Sequence, residues 1–150
     1  MAVLKLDGAN GVIAYPKKIY TALANGAIAV GDVVKVETDT TQTPDPDTYG
    51  AAGFIVAPTA EANSALAVGV ATTAAADGEE VQVQVSGFND AVTSVEPIAI
   101  GEMVGGATAG DVRQWDTEGA TSQPFAVCVN AFAGTAADGA ILIIDKGWLG

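Results

Sequence analysis

Two acidic pairs and one glycine-rich segment are the parts of this sequence whose residue types and spacing could do chemistry. Asp45-Pro-Asp47 offers carboxylate oxygens of the kind that Ca²⁺ prefers, but it lacks the glycine turn and closing glutamate of a calcium-binding loop. Glu79 and Glu80 are neighbours on a predicted strand, so their side chains point to opposite faces and do not converge as an acid–base pair. Gly105–Gly110 has the glycines of a phosphate cradle, but no Lys-Ser or Lys-Thr follows it. We therefore interpret all three as solvated loops or strand ends.

The charged residues and the lack of histidine argue against several kinds of site. The chain has 150 residues with 18 acidic and 6 basic side chains, a formal net charge of −12, no His and one Cys. Without His there is no imidazole for proton transfer, and no zinc site or nucleophile–histidine pair of the usual kinds. So few cations argue against nucleic-acid binding, and no apolar run approaches the roughly 20 residues of a membrane span. We expect no enzymatic activity, no cofactor and no metal, with neither nucleic acid nor membrane as a partner.

A basic, aromatic cluster near the start of the chain is a candidate contact site. Lys17 and Lys18 lie between Tyr15 and Tyr20. This pattern fits either a partner-docking site or the end of an amphipathic strand.

The two tryptophans and the single cysteine are candidate packing or interface residues. Trp115 and Trp148 fit either core positions or interface positions, where Trp is enriched. Cys128 alternates with Val127 and Val129, which predicts a packed thiol that behaves as a small apolar residue.

Alternation of apolar and polar residues predicts strands along most of the chain. Val81–Ser86 is apolar on one face and polar on the other, whereas Ile141–Ile144 is apolar on both faces, as in a buried strand. Asp-Gly and Asn-Gly pairs mark turns, and Thr59–Ala65 is the one predicted helical turn. Many short strands separated by turns predict an all-β fold, either a sandwich or a barrel. The other predicted strands are Val3–Leu6, Val12–Ala14, Val33–Glu37, Gly53–Ala57, Leu66–Ala71, Val112–Trp115 and Phe125–Asn130.

The sequence also contains an internal repeat. Ile28–Val34 (IAVGDVV) matches Ile98–Val104 (IAIGEMV), and Ala67–Ala71 matches Ala126–Asn130 further along. Each of the two later segments is followed by Ala-Asp-Gly and another strand. This predicts two similar β-units, about 25–90 and 91–150, whose apolar faces close one core. Chance similarity in a chain rich in Ala, Val and Gly is the alternative.

Charge is distributed unevenly along the chain. Residues 1–35 carry a net charge of +2, whereas residues 36–145 carry −15, with Arg113 as their only basic residue. We therefore predict an extended, mildly basic N-terminal arm over residues 1–24 and a single acidic β domain over residues 25–150.

These patterns resemble a known family. Gly-Val-Ala, an Ala-rich link, Asp-Gly-Glu-Glu-Val-Gln-Val, Ser-Gly-Phe and then Ile-Ala-Ile-Gly-Glu-Met-Val are similar to the small head decoration (capsid cement) proteins of tailed bacteriophages. The resemblance covers roughly residues 25–148. It implies a β-sandwich or tulip-like small barrel that forms a homotrimer on the outer surface of the phage head. The loop Thr38–Gly50 departs from the family pattern.

The resemblance also implies a partner and a docking segment. The partner is the major capsid protein, and the protein is made in the host cytoplasm, which fits a chain without disulfide pairs. The N-terminal arm is expected to lie on the capsid protein or to add a strand to it. The candidate docking residues on this arm are Val3, Lys5, Tyr15, Lys17, Lys18 and Tyr20.

Three other functions stay open. A binding module could recognise a carbohydrate or host receptor through Trp115, Tyr49 and the acidic loops. A tail-tube or fibre component would share the β-rich composition. A hydrolase using Asp or Glu is the third, and the lack of converging carboxylates argues against it.

Overall fold

The computed structural model describes residues 16–37, 55–60, 67–116 and 123–144. In these ranges the chain forms nine β-strands and a single 3₁₀ turn, and it contains no α-helix. The prediction of an all-β fold is confirmed. The strands are β1 Lys18–Ala24, β2 Val33–Glu37, β3 Ile55–Pro58, β4 Ala67–Ala71, β5 Glu80–Asn89, β6 Met103–Gly106, β7 Val112–Gln114, β8 Ala126–Asn130 and β9 Ala140–Ile143, and the 3₁₀ turn is Thr108–Gly110.

The first five strands close into a barrel, which we call the first barrel. Its strand order is β1-β3-β2-β4-β5, and β1 pairs back onto β5, so no strand edge is left open. Only the β1–β3 pair is parallel among these pairings. Alternate residues point inward, as the period of two requires, and the enclosed cluster includes Ala22, Val34, Val56, Val68 and Val83.

The second half of the chain builds a related sheet, which we call the second unit. Its strand order is β5-β9-β8-β6-β7. Ser94 forms a parallel bridge with Val112 of β7. β5 serves both halves because it is ten residues long. Its first part pairs with β1 and β4, while Gly87–Asn89 pairs with β9.

The repeated segments adopt the same hydrogen bonds. Ile28 exchanges two backbone hydrogen bonds with Ala75, and Ile98 does so with Phe132. β2, β3 and β4 correspond to β6, β7 and β8, because Val34 pairs with Pro58 and Gly69 just as Val104 pairs with Gln114 and Ala126.

The alignment of the later part of the repeat differs from the prediction by two residues. The Gly31 amide donates to the Ala71 carbonyl at 2.9 Å, and the Gly101 amide donates to the Cys128 carbonyl at 2.8 Å. Ala71 therefore corresponds to Cys128 rather than to Asn130. The sequence match was misleading because Ala, Val and Gly recur at short intervals in both segments.

The buried residues form two clusters rather than the single core predicted. One fills the first barrel, and the other combines the interior of the second unit with Val33, Ala67 and Val70 of the first barrel. The two halves are therefore joined by packing as well as by β5.

Most strand predictions within the described ranges are confirmed, Val33–Glu37 without change and the others within a few residues. Gly105 and Gly106, interpreted from the sequence as part of a solvated loop or strand end, lie buried in β6. A Cβ at Gly106 would lie only 2.7 Å from Cγ2 of Thr59, so this close approach requires glycine. The predicted strands Val3–Leu6 and Val12–Ala14 lie outside the described residues.

Two predictions need correction, the extent of the N-terminal arm and the helical turn. Residues 18–24, predicted as part of the extended arm, are β1 of the first barrel, and Ala22, Leu23 and Ala24 are buried there. The predicted arm must therefore end before residue 18. At the predicted helical turn, Thr59 and Ala60 are not helical, and the Thr59 hydroxyl instead donates to the Ala107 carbonyl at 2.6 Å. The rest of that turn lies outside the described residues.

Candidate functional site: an outward apolar row beside Trp115

The basic, aromatic cluster of the sequence lies at the start of β1. Lys17 is exposed, Lys18 is half-buried opposite Ser86, and Tyr20 packs against the core cluster of the first barrel. Of the two interpretations, the end of an amphipathic strand describes this placement, and a docking role for the cluster stays a prediction. Val3, Lys5 and Tyr15 lie outside the described residues.

Trp115 follows β7 and is half-buried. Its backbone amide donates to the Met103 carbonyl at 2.8 Å. The indole Nε1 is shielded from solvent and has no hydrogen-bond acceptor among the described residues. A shielded donor without a partner costs about 1–3 kcal/mol, so Trp115 is an energetically unsatisfied position. Trp148 lies outside the described residues.

An apolar row crosses the outer face of the second unit. Met103, Val127, Leu142 and Phe88 are direct neighbours on β6, β8, β9 and β5, and we call them the outer row. Met103 is 37% exposed and Phe88 39%, while the other two are half-buried. The row is therefore an apolar strip with exposed ends and a half-buried middle, which makes it a candidate interaction surface.

One sequence signal could have revealed this row. Ile141–Ile144 is apolar on both faces, which the sequence analysis interpreted as a strand buried on both sides. In the structure Ile141 and Ile143 are buried, whereas Leu142 is half-buried and Ile144 is 36% exposed. The apolar outward face of β9 is therefore available to a partner.

Three of the acidic residues in the described ranges close turns. The carboxylates of Asp32, Glu79 and Glu102 each accept a hydrogen bond from the backbone amide three residues earlier, at 2.8–3.0 Å. Glu79 and Glu80 do not converge on a common site, since Glu79 is used in this way and Glu80 begins β5. These contacts explain the acidic residues of the repeat as local structure.

Asp111 is the acidic residue with the most unusual environment. Burial, and secondly the nearby Asp32 carboxylate, raise the pKa of the Asp111 carboxyl above its usual value. The two acids belong to different halves of the chain and meet where Gly110 approaches the Asp32 side chain. Across residues 16–37, 55–60, 67–116 and 123–144, no three Asp, Glu or Cys side chains gather as a metal ion would require. Asp45, Asp47 and Tyr49 lie outside the described residues.

Cys128 is a packed thiol, as predicted. It is 1% exposed, and its Sγ lies 3.2 Å from the Asn130 carbonyl oxygen. Burial raises the pKa of this thiol, which makes it a poor nucleophile near neutral pH. None of the described residues belongs to a helix with the length and hydropathy of a membrane span.

This chain is similar to a known protein in its fold, and no match in sequence to a protein family is found. No protein-family profile matches the sequence, and no curated protein matches it. Its structure is similar to the crystal structure of the N base of head fiber gp8.5 of bacteriophage phi29, with a TM-score of 0.58 and 16% sequence identity. The match covers 87% of this chain and 96% of that chain. The two chains therefore share a fold over most of the length of each.

Proposed function

We propose that this protein is a non-enzymatic structural component of a tailed-bacteriophage virion. In this proposal it binds the outer surface of the head and stabilises the lattice of the major capsid protein. The observation that carries the proposal is the fold shared with a phage head fibre base over most of both chains. The sequence resemblance to head decoration proteins supports the same role independently.

The charge of the chain supports an outward position. A subunit with a net charge of −12, present in many copies, would be repelled by packaged DNA if it faced the interior of the head. The same charge argues against nucleic acid as a partner. The partners in this proposal are the major capsid protein and further copies of the chain itself, as a homotrimer.

Docking through the N-terminal segment follows from the same proposal. Residues 1–17 precede β1, and the exposed Lys17 sits at the point where this segment meets the barrel. An extended segment that adds a strand to a sheet edge gains backbone hydrogen bonds without needing a pocket. Several such segments in one oligomer raise the avidity of weak individual contacts.

Binding to heads tests the proposal directly. Purified protein is mixed with expanded and with unexpanded heads of the phage that encodes it, the heads are pelleted, and bound protein is quantified. We expect saturable binding to expanded heads. Equal failure to bind both kinds of head would overturn the proposal.

A head-fibre base is the second candidate, favoured by the same structural likeness. The two candidates differ in copy number, because a decoration protein covers the lattice while a fibre base occupies fewer attachment points. Quantitative mass spectrometry of purified virions, calibrated against the major capsid protein, separates them. A copy number comparable with that of the capsid protein supports decoration, and a much smaller one supports the fibre base.

A further inference from the structure

The outer row of the second unit has an exact counterpart in the first barrel. There Val33, Val70, Gln84 and Ile19 are direct neighbours on β2, β4, β5 and β1. Met103, Val127 and Leu142 occupy the corresponding places in the second unit, and Phe88 takes the place of Ile19. The two rows therefore lie on equivalent surfaces of two units with the same fold.

The counterpart row is covered at three of its four positions, whereas no position of the outer row is fully covered; Ile19 is 46% exposed, as Phe88 is 39% exposed at the equivalent end. Val33, Val70 and Gln84 have no exposed surface, and Val33 and Val70 belong to the same buried cluster as the interior residues of the second unit. The chain thus covers this face of the first barrel with a unit of its own fold. Met103 of the outer row is 37% exposed, although it corresponds to the fully buried Val33.

Trp115, at the edge of the outer row, lacks a contact that its counterpart in the first barrel makes. It corresponds to Thr59, since Thr59 donates its backbone amide to the Val33 carbonyl as Trp115 does to the Met103 carbonyl. Thr59 also connects the two halves, because its hydroxyl donates to Ala107 and its carbonyl accepts from the Gly110 amide. The indole N–H of Trp115 has no such acceptor among the described residues.

We propose that the outer row, with Trp115 at its edge, binds the first barrel of a second copy of this chain. In this contact the first barrel of the second copy covers the outer row, just as the second unit covers the equivalent face of the first barrel within one chain. Glu37, at the end of β2, corresponds to Ala107, so the Glu37 carbonyl of the second copy is the expected acceptor for the Trp115 indole. Because the indole N–H is shielded from solvent in the single chain, this hydrogen bond requires the ring to turn outward on docking.

This contact joins two different surfaces, so it is head-to-tail. Such an interface closes into a ring when the rotation between copies permits it, and otherwise builds a filament. The inference rests on the self-association included in the proposed function and on no part of the proposal about capsid binding.

The salt dependence of the contact follows from its composition. The outer row contains no charged residue, while each copy carries a net charge of −12. Added salt screens the repulsion between copies and leaves the apolar contact intact, so association strengthens with ionic strength. Docking through a basic segment would weaken under the same conditions.

Mass in solution tests the inference with the full-length chain. Light scattering is measured over a range of protein and salt concentrations for the wild type, for Met103→Glu and for the matched control Ile100→Glu. Ile100 lies in the turn just before β6 and is 65% exposed, but it is not part of the row. Thermal melting verifies that each variant folds.

We expect a multimeric wild type, a multimeric Ile100→Glu and a largely monomeric Met103→Glu. Trp115→Phe keeps the ring and removes the N–H, and it should weaken self-association about three- to tenfold. A wild type that stays monomeric at high concentration and high salt overturns the inference, as does equal association of the two Glu variants. A monomeric wild type that still binds heads would overturn this inference alone, and a multimer that binds no heads would overturn only the proposed role on the capsid.

Discussion

The side-chain amide of Asn89 donates a 3.0 Å hydrogen bond to Oε1 of Gln84 at the point where β5 passes from the first barrel to the second unit. The Gln84 amide in turn donates to the carbonyls of Ser86 and Phe88, at 3.1 and 2.8 Å. Between them Gly87 has a φ of +96°, which only glycine adopts readily. The Gln84 side chain therefore bridges the carbonyls on either side of Gly87 and holds this irregular part of β5 in place.

Replacing Gln84 with Leu should destabilise the protein by about 2–4 kcal/mol, because it removes the acceptor of the buried Asn89 amide and the hydrogen bonds to the Ser86 and Phe88 carbonyls. Gln82→Leu is the matched control on the same strand. Gln82 is half-buried and its side-chain amide donates to the Thr21 hydroxyl at 2.9 Å, so we expect a loss below about 1.5 kcal/mol. Urea unfolding measures both. Equal losses would show that the amide pair has no special role.

The two repeat turns offer a comparison of glycine substitutions. Gly31 and Gly101 both have a φ of +91°, so alanine strains the backbone equally at each. A Cβ at Gly31 would also collide with the Ala91 carbonyl oxygen of the second unit, whereas a Cβ at Gly101 meets nothing within 4 Å. We expect Gly101→Ala to cost about 1 kcal/mol and Gly31→Ala at least about 2 kcal/mol more. Denaturant unfolding of the two variants gives the difference, and similar values would contradict the close packing at Gly31.

The raised pKa of Asp111 gives a pH dependence of stability. Folding favours the protonated carboxyl, so the folded state binds more protons than the unfolded state between the unperturbed value of 3.8 and the raised one. The free energy of unfolding contributed by this group therefore falls as pH rises through that window and stays low above it. Asp111→Asn should flatten this fall and raise Tm modestly near neutral pH.

Melting curves from about pH 4 to pH 7 measure the effect for the wild type and Asp111→Asn. Asp90→Asn makes the same change of charge at an exposed position and serves as the control. A larger gain in Tm at neutral pH for Asp90→Asn than for Asp111→Asn would show that net charge alone, and not the site beside Asp32, determines the response.

The Cys128 thiol should react with Ellman's reagent only as fast as the protein opens. It is 1% exposed and burial raises its pKa, so both access and the thiolate fraction are low in the folded state. We expect labelling at least roughly a hundredfold slower in buffer than in denaturing urea. Rapid labelling of the folded protein would mean that the second unit opens locally at β8.

Truncations separate the N-terminal segment from the barrel. Removal of residues 1–15 keeps all of β1 and should leave a cooperatively folding protein that no longer binds heads. Removal of residues 1–24 deletes β1, the strand that closes the first barrel against β5, and should abolish cooperative unfolding. Circular dichroism melts and head pelleting read out the two effects. A shorter truncation that fails to fold would place the segment in the core and exclude it as an arm.

The local sequence pattern predicts a strand well where alternation of side chains coincides with a turn signal. Val33–Glu37 is an example, because alternation and the preceding Gly-Asp turn coincide there. β1 was missed, because Pro16 and the two lysines at its start resemble an exposed arm while its pairing partners Ile55 and Val83 lie far along the chain. The glycines of β6 were interpreted as part of a solvated loop or strand end, but Gly106 lies against the Thr59 side chain, which leaves no room for a Cβ there.

The candidate site depended less on sequence pattern. Trp115 was recognised as a possible interface residue from its type, but its unsatisfied indole and its correspondence to Thr59 follow only from hydrogen bonds between distant residues. The outer row combines residues from four strands, and no spacing along the chain connects Phe88 with Met103.

The sequence by itself determined the all-β class, the repeat and the Gly-acid turns, because these depend on side-chain alternation and on contacts between residues close in the chain. Tertiary structure decided which equivalent faces are covered. Val33 and Met103 occupy the same place in two copies of one motif, yet the first is fully buried and the second is 37% exposed. Both residues are apolar, so their types do not distinguish them. The difference arises because the second unit packs on the first barrel, and that arrangement is a property of the whole fold.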